Sequence, residues 1–385
     1  MSFRKTRVQL ILPGVRIAAV LLCFVSFCQL VRAEPIPFDS DRWEIQANEK
    51  KLVDYLGQKS LSLKGGSAIV KDSALTDGII EFDVAFASER NFIGVMWRIE
   101  DLKNYEEFYF RAHQSGNPDA NQYQPVFNGV AAWQLLYGER YSSPVKYDFN
   151  QWMHVKIVVS GENAEVYLRD MNQPVLFISE LLRPKKEGKV GLSTSQNAAA
   201  YFANFSFTAV SNPPLKGRAR EPEAAPSGTV MSWLVSSPID GKTLENKFQL
   251  TAAEKQNLSW KNLRSEKSGL ANLARIQGVE KDKNTTFARL TLHSESEQIK
   301  KVRFGFSDTV KVYFNDRLIY GGSDLYISRD YRFLGTVGLF DELYLPLKKG
   351  DNELWFAVTE NFGGWGVKAF FEDMSAISFK SPQDK

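Results

Sequence analysis

The chain has 385 residues, of which 43% are hydrophobic and 24% are charged, and its net charge is +3. This composition excludes a disordered or collagen-like chain, and the length suggests two or three domains. Aromatic residues make up 13%, which favours β-structure and surfaces that stack on sugars. Because no polybasic block dominates and the net charge is small, nucleic acid is not an expected partner.

Residues 1–33 have the pattern of a signal peptide. A basic start (Arg4, Lys5, Arg7) precedes an apolar run over 17–28, and positions 31–33 read Val-Arg-Ala. Both cysteines lie in this segment, so the processed protein is expected to have neither a disulfide nor a free thiol. We therefore expect a secreted or periplasmic protein without stable membrane insertion after cleavage. An uncleaved membrane anchor is the alternative.

A proline-rich stretch divides the rest of the chain. Residues 211–228, SNPPLKGRAREPEAAPSG, combine four prolines with small residues and both signs of charge. Such a composition cannot bury an apolar face and is typical of a linker. Two domains are therefore predicted, over 35–210 and 229–380.

The first block alternates apolar and polar residues in short segments. Ile80, Phe82 and Val84 lie on one side of a predicted strand, and Glu81 and Asp83 lie on the other. Segments of this length between turn residues predict the antiparallel strands of a β-sandwich. The same period recurs at 93–99, 108–110, 155–159, 166–168, 190–192 and 201–207.

The second block has the same character. Alternation recurs at 302–306, 310–314, 343–347 and 354–358, and the pattern allows only a short helix near 251–256. The predicted fold class is therefore all-β, with two β-sandwich (jelly-roll) domains joined by a Pro-rich linker.

These segments resemble known families. GIIEFDVAF, NFIGVMWRIEDLKNYEEFYFRAHQSGNPDANQYQPVFNG and WMHVKIVVSGENAEVYL are similar to the laminin-G-like, concanavalin A-like lectin and glucanase sandwich, over residues 38–210. FGFSDTVKVYFNDRLIYGG and LPLKKGDNELWFAVTENFGGWG are similar to the galactose-binding-like jelly roll found as accessory domains of glycoside hydrolases. The resemblance implies the fold but does not select an activity, because the first superfamily includes lectins, glycosidases and adhesive modules.

The segment Tyr105–His113 has the densest set of recognition groups in the sequence. Its odd-numbered side chains are expected on one face of a strand, opposite the core-facing Phe108 and Phe110. Aromatic rings stack on the C–H faces of sugars, and planar charged groups bind neighbouring hydroxyls. Flanking strand and loop residues are expected to border the same face. The predicted ligand-binding residues are Arg98, Tyr105, Glu107, Tyr109, Arg111, His113, Tyr123, Asn128 and Trp133.

We therefore expect an exported carbohydrate-binding protein whose ligand lies on the concave face of the first sandwich, with the second sandwich as an accessory. One alternative is a sugar-active hydrolase or keto-sugar lyase that uses Glu107 or His113 in the same groove. Another is a structural or adhesion module of the cell envelope. A solvated outer face with ion pairs such as Glu107–Arg98 would also explain the pattern.

Glucanase catalysis is not expected elsewhere on the first sandwich. The resemblance implies a Glu-x-Asp-x-(x)-Glu pattern on one strand, and Glu81 and Asp83 match its first two positions. The third position falls on Ala85 or Phe86, so the acid/base residue is missing.

No metal site or cofactor is predicted, since the three histidines lack metal-ligand spacing; we interpret His154 as structural. Asn117, Asp119 and Asn121 offer oxygen ligands for Ca²⁺, but an ordinary turn is the favoured interpretation.

Two features of the second block could form a further sugar site. One is the loop that ends at Trp365, and the other is the polar-aromatic cluster Tyr326, Arg329, Asp330 and Tyr331. For Trp365 we favour a structural role, in which its ring joins the two sheets of the sandwich.

Overall fold

The computed structural model describes Met1 and residues 33–217, 224–330, 332 and 334–380. The predicted signal peptide lies outside these residues apart from its two ends, as do part of the predicted linker and Tyr331. Residues Ala33–Lys385 form one compact unit. The described ranges contain no helix with the length and apolar character that a membrane span requires.

The described chain is almost entirely β, which confirms the predicted fold class. The first twelve strands are β1 (Trp43–Tyr55), β2 (Gln58–Val70), β3 (Gly78–Phe86), β4 (Phe92–Asp101), β5 (Asn104–Arg111), β6 (Asn121–Phe127), β7 (Val130–Ala131), β8 (Met153–Ser160), β9 (Asn163–Leu168), β10 (Leu176–Ile178), β11 (Lys189–Thr194) and β12 (Ala200–Ala209). The others are β13 (Ser232–Ser236), β14 (Trp260–Arg264), β15 (Ala271–Asn272), β16 (Thr285–Ser294), β17 (Gln298–Phe306), β18 (Asp308–Phe314), β19 (Arg317–Asp324), β20 (Asp341–Leu347), β21 (Gly350–Thr359), β22 (Gly366–Phe371) and β23 (Ile377–Phe379). The described helical segments are α1 (Ala252–Gln256) and three 3₁₀ turns, Ala112–Gln114, Gly241–Leu244 and Leu273–Arg275.

Strands β1–β12 form one antiparallel sheet in the order β10-β9-β8-β3-β12-β2-β11-β4-β5-β6-β7, and β1 pairs with β2 outside this linear order. Phe82 of β3 and Ile157 of β8 lie in one half of this sheet, Val95 of β4 and Phe110 of β5 lie in the other half, and all four are buried in one core. The sheet therefore folds over itself as a sandwich. Its inner faces bury the apolar residues of each alternating segment, as the period of two predicts.

The alternation did not reveal the long hairpin β1–β2. These two strands pair from Trp43 with Val70 to Tyr55 with Gln58. The sequence of β1, WEIQANEKKLVDY, is mostly exposed and has five charged residues among thirteen, so it shows no clear alternation of apolar and polar residues. Charged side chains are typical of edge strands, because they oppose pairing with other chains.

The second sandwich packs a seven-stranded sheet (β14-β13-β16-β21-β18-β19, with β23 on β16) against a four-stranded sheet (β15-β22-β17-β20). Phe356 of the first sheet and Phe304 of the second share the core with Trp365. Trp365 is fully buried, and its Nε1 donates to the carbonyl of Val358 at 3.0 Å. The structure therefore agrees with the interpretation of Trp365 as a residue that joins the two sheets.

Residues 127–136 pack against the cores of both sandwiches and so hold them together. Phe127 is buried in the second core, whereas Leu135 is buried in the first. The backbone N–H of Gln134 donates to the carbonyl of Gly363 at 3.0 Å, and its side-chain Nε2 donates to the carbonyl of Leu334 at 2.7 Å. A Cβ at Gly363 would clash with the Gln134 side chain. These contacts hold two loops of the second sandwich next to the first.

Candidate functional site

Three strands, β11, β5 and β6, carry polar side chains on the face that points away from the first core, and β4, between β11 and β5, contributes a glycine there. Ser193 of β11, Gly94 of β4, Tyr109 of β5 and Gln122 of β6 are aligned across the sheet. Glu107 and Gln124 form part of the next aligned row, two residues along β5 and β6. The period of two thus brings these groups together on one surface.

A cavity of about 540 Å³ lies over this surface, and we call it the groove. This volume is in the range of small-molecule sites. Six of the nine predicted residues line it, namely Tyr105, Glu107, Tyr109, Arg111, His113 and Trp133. The predicted parity of residues 105, 109 and 111 is therefore what the structure shows.

Arg111 lies at the centre of the polar wall and is 6% exposed. Its guanidinium donates to the hydroxyl of Tyr109 and to Oε1 of Gln122, both at 2.7 Å, and to the carbonyl of Asp119 at 3.0 Å. It also lies over the ring of Trp133, 5.5 Å from the centroid. These contacts fix a planar cation in one orientation at the groove, which favours recognition of oxygen acceptors.

Glu107 is a second buried polar group of the groove. Its carboxylate accepts hydrogen bonds from Ser193 Oγ and from Gln124 Nε2, both at 2.7 Å. Burial raises the pKa of Glu107, and these two hydrogen bonds only partly oppose the shift. Among the described residues no cation lies within ion-pair distance of Glu107. The carboxyl group is thus held rigidly without a compensating charge.

His113 lies at one end of the groove. Strand β5 ends at Arg111, so a 3₁₀ turn, and not the predicted continuation of the strand, places the imidazole there. The ring packs edge-on against Phe92, with centroids 5.3 Å apart. Burial and the nearby charges of Arg90 and Arg111 lower the pKa of His113, which favours a neutral ring at neutral pH.

Three aromatic rings, those of Trp133, Tyr326 and Phe362, form the aromatic wall of the groove. Trp133 packs edge-on against Phe362, at 5.8 Å between centroids, and against Tyr326, at 6.4 Å. Phe362 is 58% exposed and Tyr326 is 46% exposed. Both belong to loops of the second sandwich, so the groove is built from both sandwiches.

Arg98 does not line the groove, which corrects the prediction. The residue has a left-handed backbone with φ of 48°, and the register of β4 with β5 shifts beyond Trp97. This irregularity reverses the pleat, so that Arg98 lies 3.2 Å from Asp77 and 3.9 Å from Glu106. The Glu107–Arg98 pair, which belonged to the alternative of a solvated outer face, does not form.

Tyr123 and Asn128 are also outside the groove. The ring of Tyr123 is fully buried in the first core, and its hydroxyl donates to Glu106 Oε2 at 2.6 Å. Asn128 Nδ2 donates to the carbonyl of Ala274 in the second sandwich at 2.8 Å. Tyr123 lies on the inward side of β6, and Asn128 lies in the turn that follows, which explains both misplacements.

The sequence interpretation missed several lining residues. Phe92 pairs in register with Arg111, so the same parity argument applied to β4 would have found it. Ser193 follows in the same way from the alternation of β11. No local signal points to Tyr326 or Phe362 as neighbours of Trp133, because they are remote in sequence.

Glu81 and Asp83 flank a histidine on another outer face. His154 Nδ1 lies 2.7 Å from Asp83 Oδ1, and its Nε2 lies 3.3 Å from Glu81 Oε1. Hydrogen bonds from these two carboxylates raise the pKa of His154 to about 9. The arrangement joins β3 to β8 as an ion-paired cluster, in line with the structural interpretation of His154.

This cluster predicts a pH-dependent stability. The folded-state pKa of His154 exceeds its unfolded value of about 6.5, so its contribution is complete below that value and is lost as pH rises through about 9. We expect His154→Gln to lower the free energy of unfolding by about 1 kcal/mol at pH 6 and by almost nothing at pH 10. Thermal unfolding of the native protein and of His154→Gln between pH 6 and pH 10 tests this prediction. His293→Gln, in a more exposed pair with Asp351, is the matched control, and a pH-independent difference for His154→Gln would contradict the assignment.

In the loop considered for Ca²⁺, the side chains of Asn117, Asp119 and Asn121 contact other protein groups. Asn121 bonds to Ser143 and Asn117 bonds to Gln114, while a carboxylate oxygen of Asp119 lies 3.5 Å from Arg111. In the described ranges no group of three or more His, Cys, Asp or Glu side chains is arranged to bind a metal.

No protein-family model matches this chain, and no curated protein matches it. Solved structures similar to it include the carbohydrate binding module CBM66 from Bacillus subtilis (20% identity, TM-score 0.34, 43% of this chain and 94% of that one). They also include a β-glucanase from Bacillus licheniformis (13%, 0.34, 47% and 100%) and a Bacillus subtilis protein with a galectin-like fold (13%, 0.35, 46% and 94%). Each of these similarities covers less than half of this chain.

Proposed function

We propose that the protein is an exported carbohydrate-binding protein and that the groove binds the saccharide. The observation that carries this proposal is the combination, within one cavity of about 540 Å³, of an aromatic wall with buried planar hydrogen-bonding groups. Sugars present apolar C–H faces and rings of hydroxyls, and such a cavity matches both.

The aromatic wall supports the apolar half of this recognition. The exposed rings of Tyr326 and Phe362 would lose contact with water when a sugar ring covers them. Aromatic contacts of this kind contribute roughly 1 kcal/mol each.

The polar wall supports the other half. Arg111 offers a cation held in a fixed orientation, and Glu107 offers carboxylate oxygens beside the groove. Oε1 of Gln124 is buried without a hydrogen-bond partner among the described residues, so a ligand hydroxyl could satisfy it. Charge-assisted hydrogen bonds of this type contribute about 1.5–3 kcal/mol each.

A second candidate is chemistry on the bound sugar, as a hydrolase or lyase. It is favoured by Glu107, a buried carboxyl group of raised pKa that faces the groove, with no cation of the described chain within ion-pair distance. The other carboxylate of the groove, Asp119, lies beside Arg111. Glu107→Gln would preserve the shape of the site, so a substrate that is turned over by the native protein but only bound by this variant would support this candidate.

Calorimetric titration of the full chain with a panel of neutral oligosaccharides tests the binding proposal. We expect at least one oligosaccharide to bind, and Trp133→Ala and Phe362→Ala each to weaken binding about fivefold. Phe362 is exposed, so its variant should fold normally. Trp152→Ala is the control, since Trp152 lies outside the groove against Tyr55. Absence of any binding would instead favour a structural or adhesion role.

A further inference from the structure

A second cleft, of about 600 Å³, lies on the outer face of the seven-stranded sheet. It is separate from the groove, and its floor is formed by small residues of three adjacent strands. We call it the lysine cleft; its defining residues are Lys242, Lys281, Lys311, Thr309, Gly321 and Ala357.

The floor of the lysine cleft contains a glycine that packing does not require. Gly321 is aligned with Lys311 in β18, which is aligned in turn with Ala357 in β21. A Cβ at Gly321 would meet no atom closer than the Val310 carbonyl oxygen at 4.0 Å, and Gly321 is not among the positive-φ glycines. Glycine in a strand costs stability, and it often marks a place where a ligand approaches the backbone.

The walls of the cleft carry positive charge without carboxylate partners. The ammonium group of Lys311 donates to the carbonyls of Leu244 and Glu245, while Lys242 and Lys281 are exposed. Within the described residues none of these three lysines has a carboxylate within ion-pair distance.

Two carboxylates also line the cleft, those of Asp240 and Glu245. Asp240 accepts a hydrogen bond from the backbone N–H of Lys242 at 3.0 Å and caps the 3₁₀ turn. The three ammonium groups outnumber these carboxylates, and compact ammonium groups bind oxyanions as point charges.

The lysine cleft adjoins the groove through a single loop. Asn361 lines the cleft, and the next residue, Phe362, lines the groove. An extended chain could therefore contact both.

From these observations we propose that the lysine cleft is a second binding site, which takes an anionic substituent of a polysaccharide chain, a carboxylate or a sulfate ester. This goes beyond the saccharide binding proposed for the groove and depends on different residues.

The test compares charged and neutral probes on the full chain by calorimetry. The probes are a galacturonate hexamer and its methyl ester, and a dextran sulfate oligomer and uncharged dextran of equal length. We expect one or both charged probes to bind more tightly than their neutral counterparts, in a salt-dependent way. The two pairs distinguish carboxylate from sulfate recognition.

Two variants then assign this binding to the cleft. Lys242→Ala/Lys281→Ala removes two charges, and Gly321→Val fills the floor with a residue that strands favour. Each should weaken charged-probe binding about tenfold, while Gly321→Val should unfold at the same temperature as the native protein or higher. The charge-matched control is Lys348→Ala/Lys349→Ala, in an exposed turn outside the cleft.

Equal losses in the two double variants, equal binding of charged and neutral probes, or no binding of any charged probe would each overturn the proposal. Arg111→Ala separates the two sites, because it alters the groove and leaves the lysine cleft intact. If the groove binds no neutral sugar, the binding of charged probes to the lysine cleft can therefore still be measured and assigned.

Discussion

Arg98→Ala is expected to lower the free energy of unfolding by about 3–5 kcal/mol, the effect of breaking a buried ion pair. Arg98 is 2% exposed. Its guanidinium donates to the carbonyls of Thr76 at 2.8 Å and Gly161 at 2.6 Å, and it lies 3.2 Å from Asp77. Alanine would leave these acceptors buried with fewer partners, and urea unfolding of the two proteins measures the difference.

Arg42→Ala is the matched control for this prediction. Arg42 also pairs with an aspartate, Asp72, at 2.9 Å, but both side chains are exposed. We expect a loss below about 1 kcal/mol for this variant. If Arg98→Ala and Arg42→Ala destabilise the protein equally, the interpretation of Arg98 as a buried structural residue is wrong.

Arg111→Ala is expected to weaken saccharide binding by about 10- to 100-fold, the largest effect of any change in the groove. The variant removes the donor fork and leaves Tyr109 and Gln122 without their shared donor. Titration with the oligosaccharide that the native protein binds gives the change in affinity.

Arg111→Lys is the companion variant, since it keeps the charge but not the planar fork. We expect it to recover only part of the affinity. Circular dichroism of both variants establishes that they are folded before binding is compared. Native affinity in a folded Arg111→Ala protein would exclude the groove as the saccharide site.

Much of the fold was predictable because strands bury alternate residues. The alternation at 80–84 predicted β3, and the same rule put Tyr105, Tyr109 and Arg111 on one face, as the structure does. This rule depends only on the pleat of the backbone, which is a local property.

The predictions failed at Tyr123, which lies on the inward side of β6, and where the backbone departs from the regular pleat. Arg98 has a left-handed backbone within β4, and no residue type in the sequence marks that position as irregular. Gly94, on the groove-facing side of β4, shows a second effect of tertiary packing. In the structure a Cβ there would clash with the side chains of Ser193 and Glu107, so the glycine makes room for the protein's own polar groups.

The sequence by itself determined the all-β class, the two sandwiches' main strands and the face on which Arg111 lies, since each follows from a period of two along a single segment. Only the tertiary structure decided what covers that face. Tyr326 and Phe362 reach Trp133 because Gln134 bonds to the loops at Leu334 and Gly363. Contacts between residues about 200 positions apart depend on how two complete sandwiches pack, and no local pattern encodes that packing.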